Sequence, residues 1–150
     1  MAVAIPPRSF RIMLDKATKN KINACKGLKG KSVADIIATD RFEKNLAAYL
    51  TAQKEDRNTS RKSFEAMRKA GGAVGYKLPA HPVDRVIDLS VADFALEYAA
   101  IITGTSKRTN AERQYIRQLG QQAYNLTVAQ IVCEEFPELE SALIPKRNTN

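Results

Sequence analysis

Histidine, cysteine and tryptophan are scarce in this 150-residue chain, with one His, two Cys and no Trp. That scarcity removes most site chemistry at the outset. A zinc site of the usual ligand types needs about four His or Cys ligands, and these three residues cannot supply them. His81 lies between Ala80 and Pro82 and reads as a turn residue, not a base or ligand. No Gly-x-Ser-x-Gly elbow is present, and neither Cys25 nor Cys133 has an obvious base beside it. No catalytic residue, no metal ligand and no cofactor is therefore assigned, and the chain is read as non-enzymatic.

Long apolar runs are also missing. None approaches the ~20 residues of a membrane-spanning helix, so no membrane partner is expected. The opening Met1–Pro7 is too short for a secretory core and has no basic stretch before it. An intracellular location, or one within a virion assembled in the cell, is expected. In that setting Cys25 and Cys133 read as small apolar side chains and not as a disulfide. The glycosylation-type triplets Asn58-Thr-Ser60 and Asn125-Leu-Thr127 read as chance. Aromatic residues are few, and Tyr49, Phe64, Tyr98 and Tyr115 fall at core-like helical spacings. A base-stacking platform is therefore not favoured.

What the chain does have is positive charge, and it is concentrated in one half. Residues 1–80 hold 17 of the 24 Lys and Arg but 7 of the 16 Asp and Glu, a net of +10; residues 81–150 carry a net of −2. Such asymmetry suggests one face for a polyanion and another for a different purpose. Within residues 8–31, Arg8, Arg11, Lys16, Lys19, Lys21, Lys26, Lys29 and Lys31 oppose a single acid, Asp15. Arg41, Lys44, Arg57, Arg61, Lys62, Arg68 and Lys69 continue the charge. These fifteen residues are the candidate nucleic-acid-binding set.

Helix start signals organise the rest. Ser32-Val-Ala-Asp35, Ser90-Val-Ala-Asp93, Thr109-Asn-Ala-Glu112 and Thr127-Val-Ala-Gln130 each have the spacing of a capping box. Leu89 with Phe94 and Leu126 with Ile131 add hydrophobic staples. The expected helices cover 9–26, 33–38, 40–55, 60–70, 91–103, 110–125 and 128–136, with a turn at 84–89 and a last short helix after Pro137. Apolar faces follow helical spacing, as in Phe42, Leu46, Tyr49 and Leu50, or Phe64 and Met67. No segment alternates long enough to form a sheet. The fold class is all-α, a bundle of roughly six to eight helices. Residues 1–70 read as a basic helical subdomain, 71–83 as a Gly/Pro loop or linker, 84–144 as a near-neutral packing and oligomerisation bundle, and 145–150 as a polar tail.

Four local patterns carry sharper readings. Cys25-Lys-Gly-Leu-Lys-Gly-Lys-Ser32 ends like a phosphate-binding P-loop, but Cys25 stands where Gly is required, and no buried strand precedes it. Nucleotide hydrolysis is rejected, although the start of the Ser32 helix could hold a backbone phosphate. Residues 32–54 could be a helix-turn-helix with Arg41, Lys44 and Asn45 at base edges. Arg113, Gln114, Arg117, Gln118 and Gln121 share one side of a helix, with Lys107 and Arg108 just before it. That side suits phosphates or a neighbouring subunit. Glu134, Glu135, Glu138 and Glu140 form an acidic cluster, read either as solvated helix ends or as a docking patch for a basic surface on a neighbouring copy.

In charge layout and helical outline the chain resembles small helical coat proteins of filamentous viruses and small helical phage packaging or head-assembly proteins. The likeness is one of architecture, so no residue roles follow from it. The leading expectation is a structural nucleoprotein that binds phosphate backbones, DNA ahead of RNA, and forms homo-oligomers. The alternatives are a sequence-specific helix-turn-helix regulator, and an interaction module or inhibitor whose basic face binds an acidic protein surface.

Overall fold

The structure, a computed structural model, describes residues 14–71 and 83–144. Among the described residues every regular element is helical and no strand is present. Helix α1 is Lys16–Ala24 and α2 is Val33–Ile37. Helix α3 is Asp40–Gly71 and α4 is the single turn Val83–Val86. Helix α5 is Val91–Ile102 and α6 is Asn110–Glu135. A 3-10 turn at Pro137–Leu139 leads into α7, Glu140–Leu143.

Most starts are where the caps put them. Ser32 and Asp35 form a complete capping box on α2. The Ser90 hydroxyl accepts from the Asp93 N–H at 3.1 Å, and the Thr109 hydroxyl from the Glu112 N–H at 3.2 Å. Two further caps carried no box pattern. Asp15 accepts from the Thr18 N–H at 2.7 Å and starts α1 at Lys16, where the sequence reading has a helix already under way. Thr39 accepts from the Phe42 N–H at 3.2 Å and starts α3. Gly104, with φ +79°, supplies the left-handed residue that follows α5.

The fourth box is overturned. Thr127 is not a cap but lies inside α6, which runs unbroken for about 39 Å. Its hydroxyl donates to the Ala123 carbonyl at 2.7 Å and accepts from Asn45 Nδ2 at 3.0 Å. Asn45 Nδ2 also donates to Gln130 Oε1 at 2.9 Å. The Thr-x-x-Gln spacing puts both side chains on one helix face, where a buried Asn from α3 bridges them. The separation of 40–55 from 60–70 is overturned as well. Asn58-Thr59-Ser60 are weak helix formers, but no Gly or Pro interrupts them, and α3 continues through them for about 48 Å.

Helix α6 is the axis of the molecule, and two apolar clusters lie along it. The first joins Phe42, Leu46, Tyr49 and Leu50 of α3 to Phe94 and Tyr98 of α5 and to Ile116, Leu119 and Ala123 of α6. The second joins Cys25 and Ile36 to Val128, Ala129 and Val132 of α6 and to Leu139 and Leu143. Each fully buried Leu, Ile or Phe here contributes ~1.5–3 kcal/mol over leaving it exposed. The basic and near-neutral halves of the sequence thus share both clusters. Gly120 permits a close approach of α5 to α6, since a Cβ there would lie 2.3 Å from a Tyr98 ring carbon. That ring is stacked on Phe42, with centroids 6.1 Å apart.

Beyond Leu50, α3 leaves the core. No side chain from Thr51 to Ala70 is buried, and Met67, read as an apolar-face residue, is 68% exposed. The distal helix is tied down by Tyr115, whose hydroxyl donates to Gln53 Oε1 at 3.3 Å, and by Asp84.

Candidate functional site

Thirteen of the fifteen candidate cations lie within the described residues; Arg8 and Arg11 lie outside them, as do His81 and most of the 71–83 segment. The structure sorts the thirteen by residue type. Every described arginine of the set is engaged. Arg57 forks onto Asp84, Nε to Oδ1 and Nη2 to Oδ2, both at 3.0 Å. Arg61 reaches the same carboxylate at 3.2 Å. Arg68 meets Glu65 at 2.6 Å, and Arg41 pairs with Glu134. Among the described lysines of the set, Lys21 is paired with Glu138 at 2.7 Å. Lys16, Lys19, Lys26, Lys29, Lys31, Lys44, Lys62 and Lys69 are exposed and make no ion pair among the described residues.

The acidic cluster explains part of this sorting. Three of its four acids have partners in the same chain, and all four stay exposed, in line with the reading as solvated helix ends. Glu134 holds Arg41 and Glu138 holds Lys21. Glu135 accepts from two successive backbone N–H groups, Lys26 at 2.7 Å and Gly27 at 2.6 Å. Those donors lie in the P-loop-like turn, so the anion held by its backbone is the chain's own carboxylate. The Lys26 N–H, first of several causes, keeps the Glu135 carboxyl below the usual range; Lys21 does the same for Glu138. Gly27 fits closely here, because a Cβ would lie 2.5 Å from Ile131 Cγ2. Sequence alone could not have found this clamp, since its partners are more than a hundred residues apart.

The helix-turn-helix candidates are placed differently from expectation. Helices α2 and α3 do follow one another across Ala38-Thr39. Asn45, read as a base-edge contact, is only 8% exposed and is fixed by Thr127 and Gln130. Lys44 remains exposed.

A broad groove of about 940 Å³ runs between α3, the end of α6 and α7, lined by Asp40, Arg41, Lys44, Cys133, Glu134 and Glu140 among others. Its walls carry both signs of charge. Burial pushes the Cys133 thiol up and Glu140 adds to this, the reverse of what an attacking thiolate needs. The Cys25 thiol is also raised by burial, and both cysteines are free. Among the described residues, no group of three or more His, Cys, Asp or Glu is placed to hold a metal ion. No described helix is long and apolar enough to cross a membrane.

The polar face of the second half is divided. Arg113 is half-buried, while Gln114, Arg117 and Gln118 are exposed. Gln121 turns inward, accepting from the Tyr98 hydroxyl at 3.2 Å and donating to Asn125 Oδ1 at 2.9 Å. Burial raises the Tyr98 phenol to about 12. Arg108 meets Glu97 at 3.0 Å and Glu112 at 3.4 Å. Comparisons with protein-family models, with curated proteins and with solved structures find no match for this chain.

Proposed function

We propose that the protein is a non-enzymatic, nucleic-acid-associated structural protein. It binds phosphate backbones through the lysines of its basic half and self-associates through its C-terminal helices. One observation carries the reading: Arg41, Arg57, Arg61 and Arg68 of the basic half are engaged by carboxylates, while eight of its lysines stand exposed without ion pairs among the described residues. A guanidinium already engaged by a carboxylate is not free to fork onto a base edge, whereas an exposed lysine is a point charge that serves any phosphate. The available charge therefore favours backbone contact without base readout. A regulator built on residues 32–54 would need Arg41 and Asn45 at base edges, and both side chains are already occupied. The surface proposed for self-association is α5, where Leu96 is 68% exposed and Ile102 38% exposed.

The test is a salt titration of binding to random duplex DNA, single-stranded DNA and RNA, with light scattering on the same samples. If all eight lysines meet phosphates of duplex DNA, log K falls against log [salt] with a slope of about −7. Growth into large regular particles accompanies it. A flat plot overturns the reading, and no retention at low salt assigns the basic face to an acidic protein surface instead.

A further inference from the structure

Where α5 hands over to α6, the structure leaves a small groove of about 240 Å³. Ile101 contributes apolar surface, and Ser106, Asn110, Arg113, Gln114 and Arg117 supply the polar lining. Each of those five polar side chains can donate a hydrogen bond, and no acid lines the groove. The groove belongs to the half of the chain whose net charge is negative, so it is a local exception to its surroundings.

Three features make the arginine pair unfavourable as it stands. Arg113 and Arg117 are four residues apart on one helix, a like-charge spacing that destabilises it. Arg113 sits at the edge of the first turn, where the helix dipole is positive and disfavours a cation. Neither arginine has a carboxylate partner among the described residues. The contrast with Arg108 is direct, because Arg108 takes both nearby acids, Glu97 and Glu112. What Arg113 has is the Arg108 carbonyl, to which Nη1 donates at 2.6 Å. That bond fixes one guanidinium at the groove and leaves its other donors without a partner among the described residues. A bound oxyanion would reverse all three penalties at once.

The geometry points to this groove as a binding site for a phosphoryl oxyanion, held between the forks of Arg113 and Arg117 with Ser106, Asn110 and Gln114 as neutral donors. The site does not depend on the lysines of the basic half. Its phosphate can come from a nucleic-acid backbone or from a free phosphate group, and the chemistry of recognition is the same.

The experiment follows backbone amide and arginine Nε–H signals by NMR on the full chain at constant ionic strength. Chloride is exchanged either for inorganic phosphate or for a short oligothymidylate lacking a terminal phosphate. Saturable shifts are expected at Ser106, Asn110, Arg113 and Arg117 with at least one probe. Shifts with phosphate alone support the site with a free phosphate group as its ligand, and shifts with the oligonucleotide support it with a phosphodiester. Arg117→Gln, at an exposed position, should weaken binding at least about tenfold, while Arg117→Lys should retain part of it. With inorganic phosphate as the probe, Lys29→Gln combined with Lys31→Gln should leave the saturable shifts at Arg113 and Arg117 in place, which separates this site from the lysine surface. Shifts that track ionic strength whatever the anion, or that survive Arg117→Gln, overturn the proposal.

Discussion

The two ends of α6 handle charge in opposite ways. Its C-terminal end, where the dipole is negative, carries Glu134 and Glu135, with Glu138 just beyond. Each of those acids is answered from the basic half, by Arg41, by two backbone N–H groups and by Lys21. Its N-terminal end carries Arg113 against the dipole, with Arg117 one turn further on, and no acid answers either of them among the described residues. One mismatch is closed inside the chain and the other is left open. The difference teaches that charge at a helix end acquires meaning only with its tertiary partner: the same violation is structural at one end and a site for an external ion at the other.

The largest effect should come from the middle of the helix, on which both ends depend. Replacing Gly with Ala inside a helix ordinarily stabilises it by ~1 kcal/mol. At Gly120 the new methyl would meet three Tyr98 ring atoms at 2.3–2.7 Å, and that ring is buried and stacked on Phe42. Overpacking of this kind costs ~1–3 kcal/mol or more, so Gly120→Ala should lower the denaturation midpoint sharply. Gly27→Ala, at the clamped end, also creates a contact of 2.5 Å, but with a single γ-methyl of the half-buried Ile131 side chain. It should cost less than Gly120→Ala; equal losses would mean that the loop is as rigid as the ring stack.

Next in size is the Asn45 bridge. Asn45→Ala removes one buried and one part-buried hydrogen bond and should cost ~1–3 kcal/mol, read as a shift in urea midpoint with little change in slope. Thr127→Ala should destabilise similarly while leaving the helical content of α6 intact. Local fraying near 127 would instead restore the capping role that the sequence suggests. This site shows the limit of sequence reading here. The helical class, and the starts at Ser32, Ser90 and Thr109, were legible because a cap is satisfied within four residues. Thr127 carries the same pattern, but Asn45, 82 residues away, claims its hydroxyl. The charge asymmetry was legible for the same local reason. The division into engaged arginines and exposed lysines was not, because Asp84, Glu134 and Glu138 approach their partners only through the fold.

The clamped end should open in acid. Glu135 and Glu138 bind their protons more weakly in the folded chain than in the unfolded one. Their contribution is therefore complete above the ordinary glutamate range and is lost as pH falls through their lowered values. Asp15 and Asp35 are lowered in the same direction by their capping bonds, so a global melting curve would mix all four. Hydrogen exchange at the Lys26 and Gly27 amides isolates the clamp. Protection there should fall in acid before that of Leu119 or Ala123, and Glu135→Gln should bring the loss to neutral pH. Simultaneous loss at all these amides would show that the clamp and the core open as one unit.

The smallest effect on stability, and the most discriminating for binding, lies on the distal half of α3. Lys62 and Lys69 are exposed and make no ion pair among the described residues, so Lys62→Gln or Lys69→Gln should change stability by less than ~0.5 kcal/mol. Each replacement should nevertheless make the salt slope for duplex DNA shallower by about 0.9 if that lysine meets a phosphate. Arg61→Gln is the matched control at the same end of the helix. Its guanidinium shares Asp84 with the better-aligned fork of Arg57, so Asp84 stays engaged when Arg61 is removed. A slope that responds to Lys62 and Lys69 but not to Arg61 would place the phosphate contacts on the exposed lysines. A slope that responds to Arg61 alone would show that polyanion binding breaks the internal pairs, and the division between open and closed charge would then belong only to the unbound protein.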